Sequence, residues 1–155
     1  TDRATFDQAM LDVLERWRPD LIVLAGFMRI LTEDFVSHYQ GRMLNIHPSL
    51  LPRYPGLNTH ARAISAGDTE HGCTVHFVTS ELDGGPPALQ ARVPVKPDDT
   101  PEQLAQRVQR KEHQIYPAAV EWFAQGRLTM QGPNAYMDDN RISETGLDWD
   151  ACSSL

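Results

Sequence analysis

Cysteine is scarce in this chain, with only Cys73 and Cys152 among 155 residues. Two cysteines so far apart form neither a disulfide framework nor a zinc pair, which suits a reducing compartment and leads us to expect a cytoplasmic location. Long apolar runs are missing as well. The longest, Leu21 to Met28, falls well short of the ~20 residues that a membrane-spanning helix needs, and no signal peptide is visible at the start. Basic residues are in the minority. Fourteen Lys and Arg against 21 Asp and Glu leave a formal net charge of −7, without the basic stripe of a nucleic-acid surface and unsuited to anionic membranes. The chain also lacks an early glycine-rich turn, the usual phosphate cradle of a nucleotide-binding α/β domain. It opens instead on a helical pattern with no strand before it.

A hydrophobic fraction of 41% and a charged fraction of 23% describe one globular domain with a sizeable core. Phe6, Met10, Val13, Leu14 and Trp17 recur at helical spacing. After the break at Pro19-Asp20, Leu21 to Phe27 reads as a strand buried on both faces, as in parallel sheets. Thr32 caps a short helix through Tyr39, and Met43 to His47 forms the next strand, parallel to the first across a helical crossover. Asn58 starts a helix through Ala66 that Gly67 stops. Cys73–Thr79 and Ala88–Val95 read as antiparallel strands around the turn-rich Glu81–Pro87 loop. Thr100, Pro101 and Gln103 open a helix to about Ile115, with a kink or restart expected at Pro117 and an end near Gly126. Leu128 to Ile142 is expected to form a hairpin around Asp138-Asp139-Asn140. The polar residues 143–155 read as a loosely held tail.

The chemistry concentrates at Met43-Leu44-Asn45-Ile46-His47-Pro48. Side chains alternate along a strand, so Asn45 and His47 share one face roughly 6–7 Å apart, and Leu44 and Ile46 face the other way. Pro48 has no N–H and ends the ladder. A carboxamide beside an imidazole at a strand end can polarise a carbonyl and handle protons, as acyl transfer to an amine requires. The plain alternative is a histidine that satisfies local hydrogen bonds. Asp83, in a Gly-Gly-Pro-Pro loop, is either an Asx-turn residue or a carboxylate that orients His47 or a water. His76 reads as a sheet-face histidine or a further catalytic group. His60, His71 and His76 lack metal-ligand spacing, so no metal is expected. Gln109 and Glu112 share one face of the long helix, either solvated or reaching a ligand. Met28 to Leu31 could form an apolar slot for a flat heterocycle.

Four stretches carry a resemblance: Leu24-Ala25-Gly26-Phe27-Met28-Arg29-Ile30-Leu31; Asn45-Ile46-His47-Pro48-Ser49-Leu50-Leu51-Pro52; Tyr54-Pro55-Gly56-Leu57-Asn58-Thr59-His60; and Glu81-Leu82-Asp83-Gly84-Gly85-Pro86. Together they resemble the folate-dependent formyltransferases from the first helix to about residue 142. The Tyr54–His60 stretch and the helix bearing Arg107-Val108-Gln109 and Ile115-Tyr116-Pro117 favour the branch acting on glycinamide ribonucleotide in purine biosynthesis. The methionyl-tRNA branch has a different loop and a basic C-terminal domain. The formyltetrahydrofolate hydrolases look like Asn-X-His-His-Ser, against which Pro48 speaks.

The resemblance implies the C-terminal part of a Rossmann-like α/β fold, with a mostly parallel sheet, an antiparallel hairpin and flanking helices. Residues 1–142 would be the catalytic domain, incomplete at its N-terminus, and 143–155 a tail. It implies Asn45, His47 and Asp83 as catalytic residues and 10-formyltetrahydrofolate as formyl donor. The folate would lie near Leu24, Phe27, Arg29, Ile30, Leu31 and Val36 and the loop Thr79, Ser80, Glu81, Leu82 and Asp83. Gln109, Glu112 and Met28 would contact glycinamide ribonucleotide. Small-molecule partners are expected, with no nucleic acid or membrane, in a monomer or homodimer. Family members begin with a strand and a phosphate-holding loop not seen here, so little transfer activity is expected of this chain alone. A hydrolase and a catalytically silent folate-binding fragment remain the alternatives.

Overall fold

The computed structural model describes residues 2–27 and 29–155. In chain order its elements are α1 (Arg3–Trp17), β1 (Ile22–Ala25), α2 (Glu33–His38), β2 (Met43–His47), α3 (Thr59–Ser65), β3 (Glu70–Phe77) and β4 (Pro87–Pro94). There follow α4 (Pro101–Ala124), β5 (Leu128–Gln131), β6 (Asn134–Met137), β7 (Asn140–Arg141), β8 (Leu147–Asp148) and α5 (Trp149–Cys152). One five-stranded sheet runs β1-β2-β3-β4-β8. β1 and β2 are parallel across the α2 crossover, whereas β2/β3 and β3/β4 are antiparallel. The expected α/β class, with its antiparallel hairpin, is what forms.

Local chemistry starts the helices. Thr32 accepts the Phe35 N–H at the head of α2, and Thr100 with Gln103 forms a reciprocal capping box ahead of Pro101 in α4. Asn58 behaves differently from a side-chain cap. It makes no side-chain bond to α3 and serves through its left-handed backbone, φ 58°. At Pro117 the expected kink or restart gives way to a single helix of 24 residues. Ile115, Ala119 and Trp122 anchor both sides of the proline in the core, and tertiary burial carries a helix across a local defect.

Alternation along β2 separates the molecule into two packed layers. On one face Leu44, Val75, Phe77 and Leu89 pack with Leu104, Val108, Ile115 and Ala119 of α4. On the other, Met43 joins Leu11, Leu31, Phe35 and Tyr39. Each such fully buried side chain contributes on the order of 1.5–3 kcal/mol. Because Leu44 goes to α4 and Met43 to the opposite layer, the parity of the strand places Asn45 and His47 away from α4's core.

Two expectations are corrected near the C-terminus. The segment Leu128–Ile142 is a three-stranded meander, because a second turn at Gly132 (φ 58°) divides its first arm. Residues 143–155 are not a loose tail. Leu147 pairs with Leu89 so that β8 extends the main sheet, and Cys152 is buried in the core. The segment's polar average conceals Leu147, Trp149 and Cys152, which suffice to hold it. Among the described residues no helix is long and apolar enough to cross a membrane.

Candidate active site

His47 is 1% exposed, and its orientation is set at both ring nitrogens. Nε2–H donates to the Tyr54 carbonyl at 2.8 Å, while Nδ1 lies 3.4 Å from Asp83 Oδ1. Both facing groups are acceptors, and the ring is held between them. The other oxygen of Asp83 accepts the Gly56 N–H at 2.9 Å. Asp83 adopts a left-handed backbone, φ 53°, in a loop that returns tightly to the sheet. A Cβ on Gly85 would stand 1.7 Å from the Phe77 carbonyl oxygen, so only glycine permits that approach.

The segment that supplies Tyr54 O and Gly56 N–H is itself clamped. Ser49 Oγ–H donates to the Arg53 carbonyl (2.6 Å), Tyr54 OH to Asp68 Oδ2 (2.6 Å) and Arg62 Nη1 to the Pro55 carbonyl (2.6 Å). Acceptors brought to His47 and Asp83 by a rigid loop keep the imidazole in one orientation.

Asn45 stands opposite His76 in the β2–β3 register, and its Oδ1 is buried without a partner. It borders a cleft of about 620 Å³ between the carboxyl ends of β1 and β2 and one face of α4. Gln109, Glu112 and Tyr116 line the α4 side, and burial raises the Glu112 carboxyl above its ordinary range. His76 is a third group at Asp83. Its Nδ1–H donates to the Phe77 carbonyl at 2.9 Å, and its unpartnered Nε2 lies 3.9 Å from Asp83 Oδ1. Burial lowers the His76 pKa and favours the neutral ring.

The structure thus gathers Asn45, His47, Asp83, Gln109 and Glu112, from three separate parts of the chain, around one region. The residues expected at the folate divide. Phe27 borders both the cleft and an apolar hollow of about 440 Å³ beneath α1, which Leu24 and Leu31 also line. Arg29 lies over the Phe6 ring at 3.9 Å, Ile30 is exposed, and Val36 packs into the second core cluster. Thr79 and Ser80 are half-buried, and Glu81 and Leu82 are exposed ahead of Asp83. Met28 lies outside the described residues. Among the described residues no group of three or more His, Cys, Asp or Glu side chains is arranged to hold a metal ion.

Sequence reasoning missed the Tyr54 carbonyl and the Gly56 amide, because backbone groups carry no residue-type signature. It also missed Tyr116, whose hydroxyl hydrogen-bonds the carbonyls of Leu24 and Leu44. That side chain ties α4 to β1 and β2 at the rim of the cleft. Tyr116→Phe leaves buried strand carbonyls short of a donor, and a loss of roughly 1–3 kcal/mol is expected in urea unfolding.

A second histidine pair lies behind the clamped segment, with His60 Nδ1 3.1 Å from His71 Nε2. One proton can bridge the two rings, whereas two full positive charges would repel. Burial, chiefly, pulls His71 down to about 4 and also lowers His60. The unfolded chain therefore binds more protons than the folded one between about pH 6.5 and 4, so stability is present above that window and is lost as pH falls through it. Thermal melting scanned from pH 7 to 4 should show a midpoint that declines with acidity, and His71→Gln should flatten the decline.

A carboxamide, an imidazole and a carboxylate at the carboxyl end of parallel strands suit acyl transfer, and residues 1–120 match the formyl transferase family. The chain belongs to that family. Among its relatives, the phosphoribosylglycinamide formyltransferase of Escherichia coli is 54% identical over 144 residues, 93% of this chain and 68% of that protein. The solved phosphoribosylglycinamide formyltransferase of Coxiella burnetii, in complex with CHES, superposes with a TM-score of 0.91 at 51% identity, covering 95% of this chain and 69% of that one. A formyltetrahydrofolate deformylase from Pseudomonas syringae pv. tomato shares the fold at a TM-score of 0.81 and 26% identity, covering 88% of this chain and 46% of its own. The chain thus spans about two thirds of the length of the phosphoribosylglycinamide formyltransferases quoted.

Proposed function

We propose that this chain serves transfer of a formyl group from 10-formyltetrahydrofolate to the amine of glycinamide ribonucleotide, a step of purine biosynthesis. The observation that carries the reading is the meeting of His47 and Asp83 at 3.4 Å beside a buried Asn45 carboxamide whose oxygen has no partner. The acceptor amine attacks the formyl carbon, a new N–C bond forms, and the bond from that carbon to the folate nitrogen breaks. Asn45 donates from Nδ2 to the oxygen as negative charge develops there, and the Nδ1–H of His47, only loosely held by Asp83 at 3.4 Å, turns to it as a second donor. Asp83 orients the ring and, through a water, passes the proton lost by the amine to the departing nitrogen.

Gln109 and Glu112 contact the ribonucleotide from α4. The folate's flat ring is accepted by the apolar surface around Leu24, Phe27, Ile30, Leu31 and Val36, with Arg29 and the 79–83 loop at its border. The hollow lined by Leu24, Phe27 and Leu31 presents apolar side chains alone, which fits a flat heterocycle held largely by dispersion. No step requires a metal.

The hydrolase reading draws on the deformylase that shares the fold, whereas Pro48 and the higher identity to the transferases favour transfer. An assay with the folate donor, with and without glycinamide ribonucleotide, decides the matter. Transfer consumes donor only when both substrates are present. Formate released from donor alone would overturn the reading in favour of hydrolysis, and binding without turnover would leave a silent folate binder.

A further inference from the structure

Two consecutive side chains of α1 hold the two ends of a short stretch on which the folate reading depends. The Arg29 guanidinium lies over the Phe6 ring at 3.9 Å, and Asp7 Oδ2 accepts the Thr32 N–H at 2.7 Å. Ile30 and Leu31 lie between these holds, and residues 29–32 belong to no helix or strand. Asp7 is 1% exposed, and its Oδ1 is buried without a partner among the described residues. A buried polar oxygen left unpartnered costs free energy, so stability alone is a poor account of this residue.

The sequence around Thr32 shows what Asp7 replaces. Thr32 caps α2 by accepting the Phe35 N–H. In a reciprocal capping box, position 35 would be Glu or Gln and would accept the Thr32 N–H in return. Here it is a phenylalanine, 3% exposed, that lines the apolar hollow together with Leu24, Phe27 and Leu31. The return bond comes instead from Asp7, 25 residues upstream. Its effect reaches the hollow directly. A peptide unit is rigid and planar, so holding the Thr32 N–H also fixes the Cα of Leu31, which carries one of the lining side chains.

We propose that Asp7 is a positioning residue for the folate donor. Through the Thr32 amide it keeps residues 29–32 in the shape that receives the flat ring, while Phe6 holds the other end through Arg29. The inference rests on the function proposed above and concerns the donor alone. Among the described residues the Asp7 side chain hydrogen-bonds only the Thr32 amide, so ribonucleotide binding should not sense it.

Dissociation constants of the full chain for the folate donor and for glycinamide ribonucleotide, measured by calorimetry, test this. Asp7→Ala should weaken donor binding about 10-fold and leave ribonucleotide binding within about twofold. Asp7→Asn keeps an oxygen for the Thr32 N–H and should bind the donor within about threefold of the original. Phe6→Leu, at an exposed position, should weaken the donor about threefold. A lower melting temperature for Asp7→Ala fits a plain helix cap as well, whereas separation of the two ligands and rescue by asparagine do not. Unchanged donor affinity in folded Asp7→Ala overturns the proposal, as does equal weakening of both ligands. An asparagine variant no better than alanine overturns it too, because the bond to Thr32 would then not be what counts. Should Asp7→Ala fail to fold, unchanged donor affinity in Phe6→Leu overturns it. If the original protein binds no folate donor, the functional reading itself fails, and this inference fails with it.

Discussion

Asp83→Asn should lower kcat by about 10²- to 10⁴-fold with the fold preserved. The substitution keeps the size of the side chain and an oxygen for the Gly56 N–H, which Asp83 Oδ2 now accepts at 2.9 Å. It removes the negative charge 3.4 Å from His47 Nδ1. Its loss withdraws the carboxylate that orients the His47 ring and the acceptor for the amine's proton together. Steady-state rates with both substrates saturating, alongside a melting curve within a few degrees of the original, provide the check. A rate within tenfold of the original would remove Asp83 from the chemistry and leave it the ordinary turn residue its loop first suggests.

Asn45→Ala should be comparably damaging for a separate reason. Loss of one preorganised oxyanion donor raises the barrier by about 2.7–4 kcal/mol, or 10²- to 10³-fold in kcat. Stability should move the other way or not at all. Asn45 is 5% exposed, and its Oδ1 is buried without a partner, an arrangement that costs free energy in the unliganded protein. Alanine relieves that cost and leaves the burial of Leu44 and Met43 intact. Lower activity with equal or higher melting temperature is the expected signature. A destabilised variant with normal turnover would show that the carboxamide serves the sheet instead.

Tyr116 supplies a hydrogen bond that locks α4 to β1 and β2, so its removal should loosen the wall of the cleft. Stability measured beside ligand affinity reads that loosening.

Much of the fold was legible in the order of residues. Within the apolar run at Leu21–Phe27 a strand formed over Ile22–Ala25, but at the sheet edge with Val23 and Ala25 exposed, so the expected burial on both faces did not follow. Thr32 and Thr100 opened helices as their chemistry dictates. The two-residue period of β2 put Asn45 and His47 on one face, and the register bears this out through their partners His76 and Thr74. The polar average of residues 143–155 misled, because three apolar side chains in a suitable strand–helix order decide docking whatever the composition around them. Pro117 misled for a related reason, as burial on both of its flanks outweighs a local preference.

By itself the sequence determined the elements, the parity of their side chains and the motif that links this chain to formyl transfer, all of which depend on neighbours a few residues apart. Only the tertiary structure decided that Asp83 comes to His47, that Tyr54 and Gly56 hold the pair with backbone atoms, and that the wall of α4 closes the cleft. Those meetings span loops whose closure leaves no periodic trace, and a carbonyl or amide is the same in every residue. Their positions are set by the packing of two layers against the sheet, which acts on the whole chain at once.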